Sequence, residues 1–396
     1  MTRVDNDHRR RLLVHRHHVG APGRGDRTID DVVAALGLLH STDPATPYLG
    51  LHARCASTPD DIDDAFYERR SLLRHTTIRR TVFAMPLDVA PIAHGAVNRK
   101  IVDTLRSQLV GWIDASPDTD VDAVRFLAET EDHVVASLRA EGPCAGTVLA
   151  ERVPPLQLRF EPAPGKSYSR PMRITSKVLE VLAADGRIAR GRPAGNDFTS
   201  AAWTWAPIDA WIDRAELDAL DESAALTALV ERYLRSNAPA TLTDIAWWTG
   251  APKRSIARSL TELDARRVEL EHVGEPGYVC AGDELDAPPV DGAVALLPGL
   301  DPTTMGWKQR HWYVDDASTT GLFDRNGNAG PTVWIDGRVV GGWTQWPDGT
   351  IAVPPDGHTA DLGAVAARLA NWLGDVRVKW RYPTAVTKQL DTTSSS

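Results

Sequence analysis

Apolar residues in the first hundred positions recur at helical spacing and then give way to a β-branched run. In TIDDVVAALGLL, Ile29, Val32, Val33 and Leu36 share one face, and Thr28 with Asp31 three places on forms a capping box, which predicts a helix from about Ile29. Pro44 opens a second helix through ATPYLGLHARCA. Thr58 as cap, with Pro59 at the first helical position, opens a third in STPDDIDDAFYERRSLL. TTIRRTVFAM then reads as a strand that Pro86 ends.

Helices followed by a strand is the order of a winged helix, a helix-turn-helix with a β-hairpin appended. The order returns between about Glu131 and Pro207, where VVASLRAEGP precedes SKVLEVLAADGRIARGRPAGNDFTSAAWTWAP. It returns most clearly between Ser223 and Asp283: WTGAPKR separates DIAWW from SIARSLTEL as a helix-turn-helix requires, and two strands follow. No strict sequence period accompanies this, so the repeats are structural. After Pro288 short β-rich runs alternate with Asn-Gly, Asp-Gly and Gly-Gly turns, and WIDGRVVGGW and WPDGTIAVP are hairpin signals. A small barrel or curled sheet is expected there. A helix in DLGAVAARLANWLGD, a strand-like VRVKWRY and a frayed DTTSSS close the chain.

The predicted class is therefore α+β: three tandem winged-helix (helix-turn-helix) units with a C-terminal small β-barrel domain. The expected boundaries are residues 1–130 with the N-terminal helices, 131–215, 216–286, a barrel over 287–385 and a disordered tail over 386–396. A length of 396 residues fits about two to four such units.

Composition changes this picture little: 42% hydrophobic and 24% charged residues are those of a soluble globular protein. No apolar run approaches the roughly 18 residues of a membrane span, and the early HRRR lacks a following apolar stretch, so a cytoplasmic location with no membrane contact is expected. The cysteines Cys55, Cys144 and Cys280 are far apart with no metal-ligand spacing, which predicts reduced, buried thiols and no metal. Net charge is −9, yet basic residues cluster at Arg69, Arg70, Arg74, Arg79 and Arg80, at Arg187, Arg190 and Arg192, and at Arg377, Lys379 and Arg381. Acidic stretches such as DIDDAFYE are expected to face solvent elsewhere.

Candidate chemistry lies in the polar island HSTDP. Asp43 before Pro44 is an N-cap and N1 pair, Thr42 can cap as well, and His40 can end the preceding helix, so punctuation explains most of the island. The competing reading is a site. Arg79 and Arg80, adjacent along TTIRRT, are expected on opposite faces of a strand, reaching either phosphate or the acidic helix DDIDDAFYE. Lys253 and Arg254 open the second helix of the third unit, where helix dipole and charge both suit a phosphate. Arg325 in DRNGN and Arg338 in DGRVV are placed at hairpin turns as backbone or minor-groove probes. Of the thirteen Trp, Trp247 and Trp248 are assigned to the core of the third unit, and Trp203, Trp205 and Trp211 to strand or helix packing.

VVAALGLLHSTDP, TTIRRT, TDIAWWTG and GPTVWIDGRVVGGW, in that order over roughly residues 28 to 343, resemble the winged helix DNA-binding domain-containing family that includes the YcaQ-like and AlkZ-like bacterial DNA glycosylases. The resemblance implies a C-shaped array of winged helices and excision of bulky N-alkylated purines from DNA with no metal or cofactor. It also implies a catalytic Gln-x-Gln or Gln-x-Asp just before an acidic-Pro turn. Aligned on Asp43-Pro44, His40 and Thr42 take those positions with Ser41 between them, a His-x-Thr variant, and Asp43 supplies a nearby carboxylate. A neutral imidazole can accept a proton from water, so His40 is expected to matter more than Thr42. The resulting expectation is a monomeric, monofunctional DNA glycosylase acting on damaged double-stranded DNA. The alternative is a non-catalytic winged-helix DNA-binding protein, a damage sensor or transcriptional regulator, and a third is a scaffold that contacts another protein.

Overall fold

The Thr-x-x-Asp signals mark helix starts in the computed structural model of the chain, which describes residues 2–20, 24–116, 121–163, 165–167, 169–195, 197–315, 321–353 and 360–393. Thr28, Thr58 and Thr241 each accept from the backbone N–H three residues on, while the Asp at that position accepts from the Thr backbone.

In chain order the first elements are β1 (Thr2–Val4), α1 (Asn6–Arg16), α2 (Ile29–Leu36), β2 (Leu39–His40), α3 (Ala45–His52), α4 (Pro59–Asp63), β3 (Leu72–Thr77) and β4 (Thr81–Pro86). The long α5 (Ala90–Asp114) leads to α6 (Ala123–Glu141), β5 (Cys144–Ala145), α7 (Gly146–Arg152), β6 (Arg159–Phe160), β7 (Met172–Arg173), α8 (Thr175–Ala184), β8 (Ile188–Pro193) and β9 (Trp203–Pro207). After α9 (Arg214–Leu217) come α10 (Glu222–Asn237), β10 (Ala240–Thr241), α11 (Leu242–Thr249), α12 (Lys253–Glu262), β11 (Arg266–Leu270) and β12 (Gly277–Val279). The last stretch holds β13 (Val294–Leu297), α13 (Pro302–Met305), β14 (Thr332–Ile335), β15 (Arg338–Gly342), β16 (Thr344–Gln345), β17 (Ile351–Ala352), α14 (Ala360–Leu373) and α15 (Ala385–Thr393).

One topology recurs. A helix, a two-residue strand, two helices and a hairpin recur in the order α2-β2-α3-α4-β3-β4, α6-β5-α7-α8-β8-β9 and α10-β10-α11-α12-β11-β12, the second copy carrying the paired β6 and β7 as an insertion between α7 and α8. Each time the short strand pairs with the second hairpin strand, giving sheet orders β2-β4-β3, β5-β9-β8 and β10-β12-β11, the last extended by parallel β1. The early basic run is not a solvated charge patch: Arg9 and Arg10 on α1 are buried, and Arg9 lies over the Trp312 ring at 4.1 Å.

The β3–β4 hairpin is buried on both faces because its side chains alternate between two cores. Leu73, Phe83 and Met85 pack with α1, α5 and α10, whereas Leu72 and Ala84 pack with α2, α3 and α14. A third core joins α5 to α6, α7 and α8. Beyond α4 the helix continues as a π-helical turn over Asp64–Glu68, with Phe66 and Tyr67 buried.

Several sequence expectations change. TTIRRT is not one strand: Ile78–Arg80 form the turn between β3 and β4, with Thr77 paired to Thr81, and both Arg79 (φ 55) and Arg80 (φ 59) are left-handed. Tight hairpin turns favour positive φ, so the local twist overrides β propensity here. The region expected to be a barrel shows, among the described residues, a three-stranded sheet β13-β14-β15 and a separate two-stranded β16-β17, with no closed barrel. Strands of two to five residues leave little to close a cylinder, and α14 and α15 pack on these strands instead. VRVKWRY is not a strand, and the tail expected to fray forms α15 through Thr393. Cys55 and Cys144 are buried, Cys280 is half-buried, and all three are free. No helix among the described residues is long and apolar enough to cross a membrane.

Candidate active site

Short pairings fix the HSTDP segment. His40 lies opposite Phe83 in the β2–β4 ladder, and Ser41 N–H donates to Val82 O at 2.8 Å. Asp43 is buried: Ala45 N–H donates to Oδ1 at 3.1 Å and Arg381 N–H to Oδ2 at 3.2 Å. Burial pushes the Asp43 carboxyl upward, against the pull of these backbone donors and the Arg381 charge. Pro44 is already helical (φ −58, ψ −35), and the Asp43 carboxylate serves the first turn of α3, every residue of which is buried. Asp43 therefore holds the turn, as capping arithmetic anticipates, with both oxygens engaged.

His40 is half-buried, its ring edge-on to Phe83 with centroids 5.4 Å apart. Its Nδ1 accepts from Thr42 N–H at a long 3.4 Å, which places the proton of the neutral ring on Nε2. Burial, aided by the nearby Arg79 charge, drives its pKa down to about 3. The imidazole is consequently neutral and weakly basic at physiological pH.

His40 and Thr42 open onto different cavities. His40 lines a niche of about 80 Å3 with Arg79, Phe83, Trp247, Trp248 and Asn328. Thr42 lines a cleft of about 870 Å3 whose walls include Thr76, Arg80, Val82, Glu180, Arg190, Trp203 and Trp205. The hairpin tip separates the two, with Arg79 on the niche side and Arg80 on the cleft side. Neither arginine makes an ion pair among the described residues. The acidic helix instead pairs Asp63 and Glu68 with Arg192, and Asp64 with Arg69.

The tip docks on the turn between α11 and α12. Gly250 caps α11 in a left-handed conformation (φ 72, ψ 5), and a Cβ there would meet Arg79 Cγ at 3.2 Å. The Arg79 guanidinium lies over the Trp247 ring at 4.9 Å, and that of Arg310 lies 5.5 Å from the same ring. Trp247 is thus half-buried beside His40 rather than a core anchor, while Trp248 does pack on the core. Two adjacent helical residues point about 100° apart, so WW in an amphipathic helix already signals that one of them leaves the core.

A groove of about 310 Å3 joins Arg79, Arg80 and Lys100 to Pro252 and Ser255 at the start of α12. Lys253 is exposed and donates from Nζ to Thr243 Oγ1 at 2.8 Å; Arg254 is exposed. Pro252 provides no side-chain cap, so the first N–H groups of α12 have no capping side chain. Arg325 is exposed on the turn that Asp324 closes, and Arg310 donates to Gly327 O at 3.1 Å in that turn. Arg338 lies apart, paired with Asp7 of α1 at 3.2 Å. Trp203 and Trp205, assigned to packing from the sequence, line the large cleft together with Arg190, and Arg310 joins Arg79 on the Trp247 ring without having been singled out in the sequence. Only the basic cluster containing Arg190 gave any signal. Among the described residues no group of three His, Cys, Asp or Glu side chains is placed to hold a metal ion.

Comparison with known proteins places this geometry in context. The sequence matches the family described as DNA glycosylase AlkZ-like over residues 33–372. No curated protein matches by sequence. Among solved structures the fold is similar to Streptomyces sahachiroi DNA glycosylase AlkZ, with a TM-score of 0.64 at 19% identity over 96% of this chain and 100% of that one. At that identity the likeness is one of fold, a mixed α+β architecture.

Proposed function

The chain belongs to the AlkZ-like family of DNA glycosylases, and from that premise we propose that it hydrolyses the N-glycosidic bond of bulky N-alkylated purines in damaged DNA, using His40 and Thr42 to place the attacking water. DNA is the substrate class of this family. The observation that carries the finer reading is the large cleft that opens in front of Thr42, with Trp203 and Trp205 on its wall and Arg80 and Arg190 beside them. A cleft of about 870 Å3 has room for an extrahelical base with a bulky substituent, and the half-buried indoles on its wall offer it an aromatic surface.

An N7-alkylated purine carries a positive charge and leaves its sugar without prior protonation. The protein has to orient water at the anomeric carbon and tolerate an oxocarbenium-like sugar, and such positioning contributes several kcal/mol, up to about 7–11 in the best cases. A base with a pKa of about 3 has little driving force for taking a proton, so His40 acts by hydrogen bonding. In this reading bound DNA joins the niche to the cleft, so that Nε2–H donates to the water oxygen and the Thr42 hydroxyl accepts one of its hydrogens. As the C1′–O bond forms and the C1′–N9 bond breaks, the alkylated base leaves neutral and the proton lost by the water passes to solvent in the open cleft. Asp43 keeps the turn that presents them.

Each helix, short strand, two helices and hairpin is read as one winged helix, within the units 1–130, 131–215 and 216–286, arranged as a C around duplex DNA and acting as a monomer. Arg79, Arg80, Lys253, Arg254 and Arg325 are proposed phosphate contacts, the pair at the start of α12 using the uncapped helix N-terminus as well. Arg338, engaged by Asp7, contributes least.

The test is base release from duplex DNA carrying a single N7-alkylguanine, read by strand cleavage at the abasic product. Release that disappears in His40→Ala supports the reading. DNA binding without release would leave the non-catalytic sensor or regulator, and no DNA binding even at low salt, where phosphate contacts are strongest, would remove both.

A further inference from the structure

Arg74 on β3 is 2% exposed and, among the described residues, has no carboxylate within ion-pair distance. Its Nε–H donates to Ser41 Oγ at 3.0 Å, its Nη1 donates to Tyr67 Oη, and its buried Nη2 has no hydrogen-bond partner. Aromatic faces stand where a counter-ion would be: the guanidinium is 3.6 Å from the Phe66 ring centroid and 4.8 Å from that of Trp203. A buried guanidinium without an anion is costly, and rings replace only part of its lost hydration. Packing alone does not call for it, since an apolar side chain of similar volume would fill the space at less cost.

Ser41, itself 1% exposed, is the residue between His40 and Thr42. From this juxtaposition we infer that Arg74 is the positioning residue of the His40-Ser41-Thr42 segment, gripping its middle residue from below so that the flanking side chains are presented in fixed orientations. The grip works with two others: Val82 O takes the Ser41 N–H, and the Asp43 carboxylate takes the N–H groups of Ala45 and Arg381. Anchoring on both sides of Thr42 removes the freedom a four-residue linker would otherwise have, which is the form of preorganisation that water placement needs. Trp203 touches both the Arg74 cage and the large cleft, so the grip and the substrate wall share one side chain. The inference rests on the role proposed above for His40 and Thr42.

Arg74→Lys keeps the charge and removes the planar fork, and Ser41→Ala removes the acceptor with the least disturbance to packing. Each variant is expected to lower single-turnover base release from N7-alkylguanine duplex about 10- to 100-fold, with affinity for undamaged duplex unchanged to within about twofold. The double variant is expected to be no slower than the slower single one, because both changes cut the same link. Multiplying rate losses, or affinity falling in step with rate, would overturn the inference in favour of a structural role. If Arg74→Lys does not fold, Ser41→Ala alone decides through its rate and a Tm close to that of the parent. Should the parent release no base, the glycosylase reading fails by itself. Amide hydrogen exchange then judges this one: exchange over residues 40–43 must accelerate in Arg74→Lys and Ser41→Ala while β3 and α3 stay protected, and unchanged protection sinks it.

Discussion

On one side of β4, Phe83, Trp247 and Trp248 leave about 80 Å3 around the His40 ring; on the other, Trp203, Trp205 and Arg190 stand back to leave about 870 Å3 before Thr42. Two residues of one motif, separated only by Ser41, therefore work in opposite surroundings. The niche is tight and largely aromatic, and it lowers the basicity of His40 by desolvation. The cleft is wide and mixed in polarity, and it sets access. The difference teaches that one short segment can set two polar side chains in unlike surroundings, which under the proposed function separates the tuning of His40 from the admission of substrate. A single strand end joins the two.

The largest way to break this division is at His40. His40→Ala is expected to slow base release by about 10²-fold or more, and Thr42→Ala by about tenfold, measured under single-turnover conditions. His40→Gln should recover most of the loss, because a neutral amide also offers hydrogen bonds; a Gln variant as slow as Ala would show that the imidazole acts as a base after all.

Stability should follow the same asymmetry. Phe83 and Val82 are neighbours on β4 facing niche and cleft respectively. Phe83→Ala is expected to cost about 3–4 kcal/mol by urea denaturation, whereas Val82→Ala should cost about 1–2 kcal/mol. Equal costs would mean that the niche is no better packed than the cleft wall.

Acid titration separates the two sides next. His40 has a folded pKa near 3, below the roughly 6.5 of an unfolded imidazole, so its contribution is complete above pH ~6.5 and is lost as pH falls toward 3. Buried neutral His17 and His52, each lowered to about 3 mainly by desolvation, act in the same direction. Between pH 7 and 5 the parent is expected to lose about 1–2 kcal/mol more stability than His40→Ala. Parallel curves would mean that the niche does not hold His40 neutral.

The smallest effects belong to the surface. Lys253→Ala and Arg254→Ala should each reduce the salt slope of duplex binding by about one and weaken binding several-fold without altering the rate of bound substrate. Arg338→Ala, which breaks only a partly exposed pair with Asp7, should change affinity by less than about twofold.

Much of this architecture is legible from short-range patterns. The capping boxes at Thr28 and Thr58, the Pro59 helix start and the WTGAPKR turn with its left-handed Gly250 all involve residues within four positions of one another. The recurring order of helices and hairpins follows from them, and so does the capping work of Asp43. Where local signals conflict, the reading slipped: β-branched TTIRRT looks like a strand, yet the need to reverse direction puts Arg79 and Arg80 at its turn. Short strands with Gly-rich turns suggested a barrel, but whether such strands close depends on what packs against them, and here helices at 360–373 and 385–393 do so.

The candidate site divides along the same line. Which residue types stand at 40 to 43, and that Asp43 caps, is written in consecutive positions. That His40 is neutral, that Thr42 meets a different cavity, that Trp247 faces Arg79 and that Arg74 grips Ser41 all require partners tens to hundreds of residues away in the chain. Caps are hydrogen bonds closed within one turn, so any chain carrying those residues forms them. Desolvation and cavity walls are built by elements that meet only after the chain has folded, and the chemistry of His40 and Thr42 is set there.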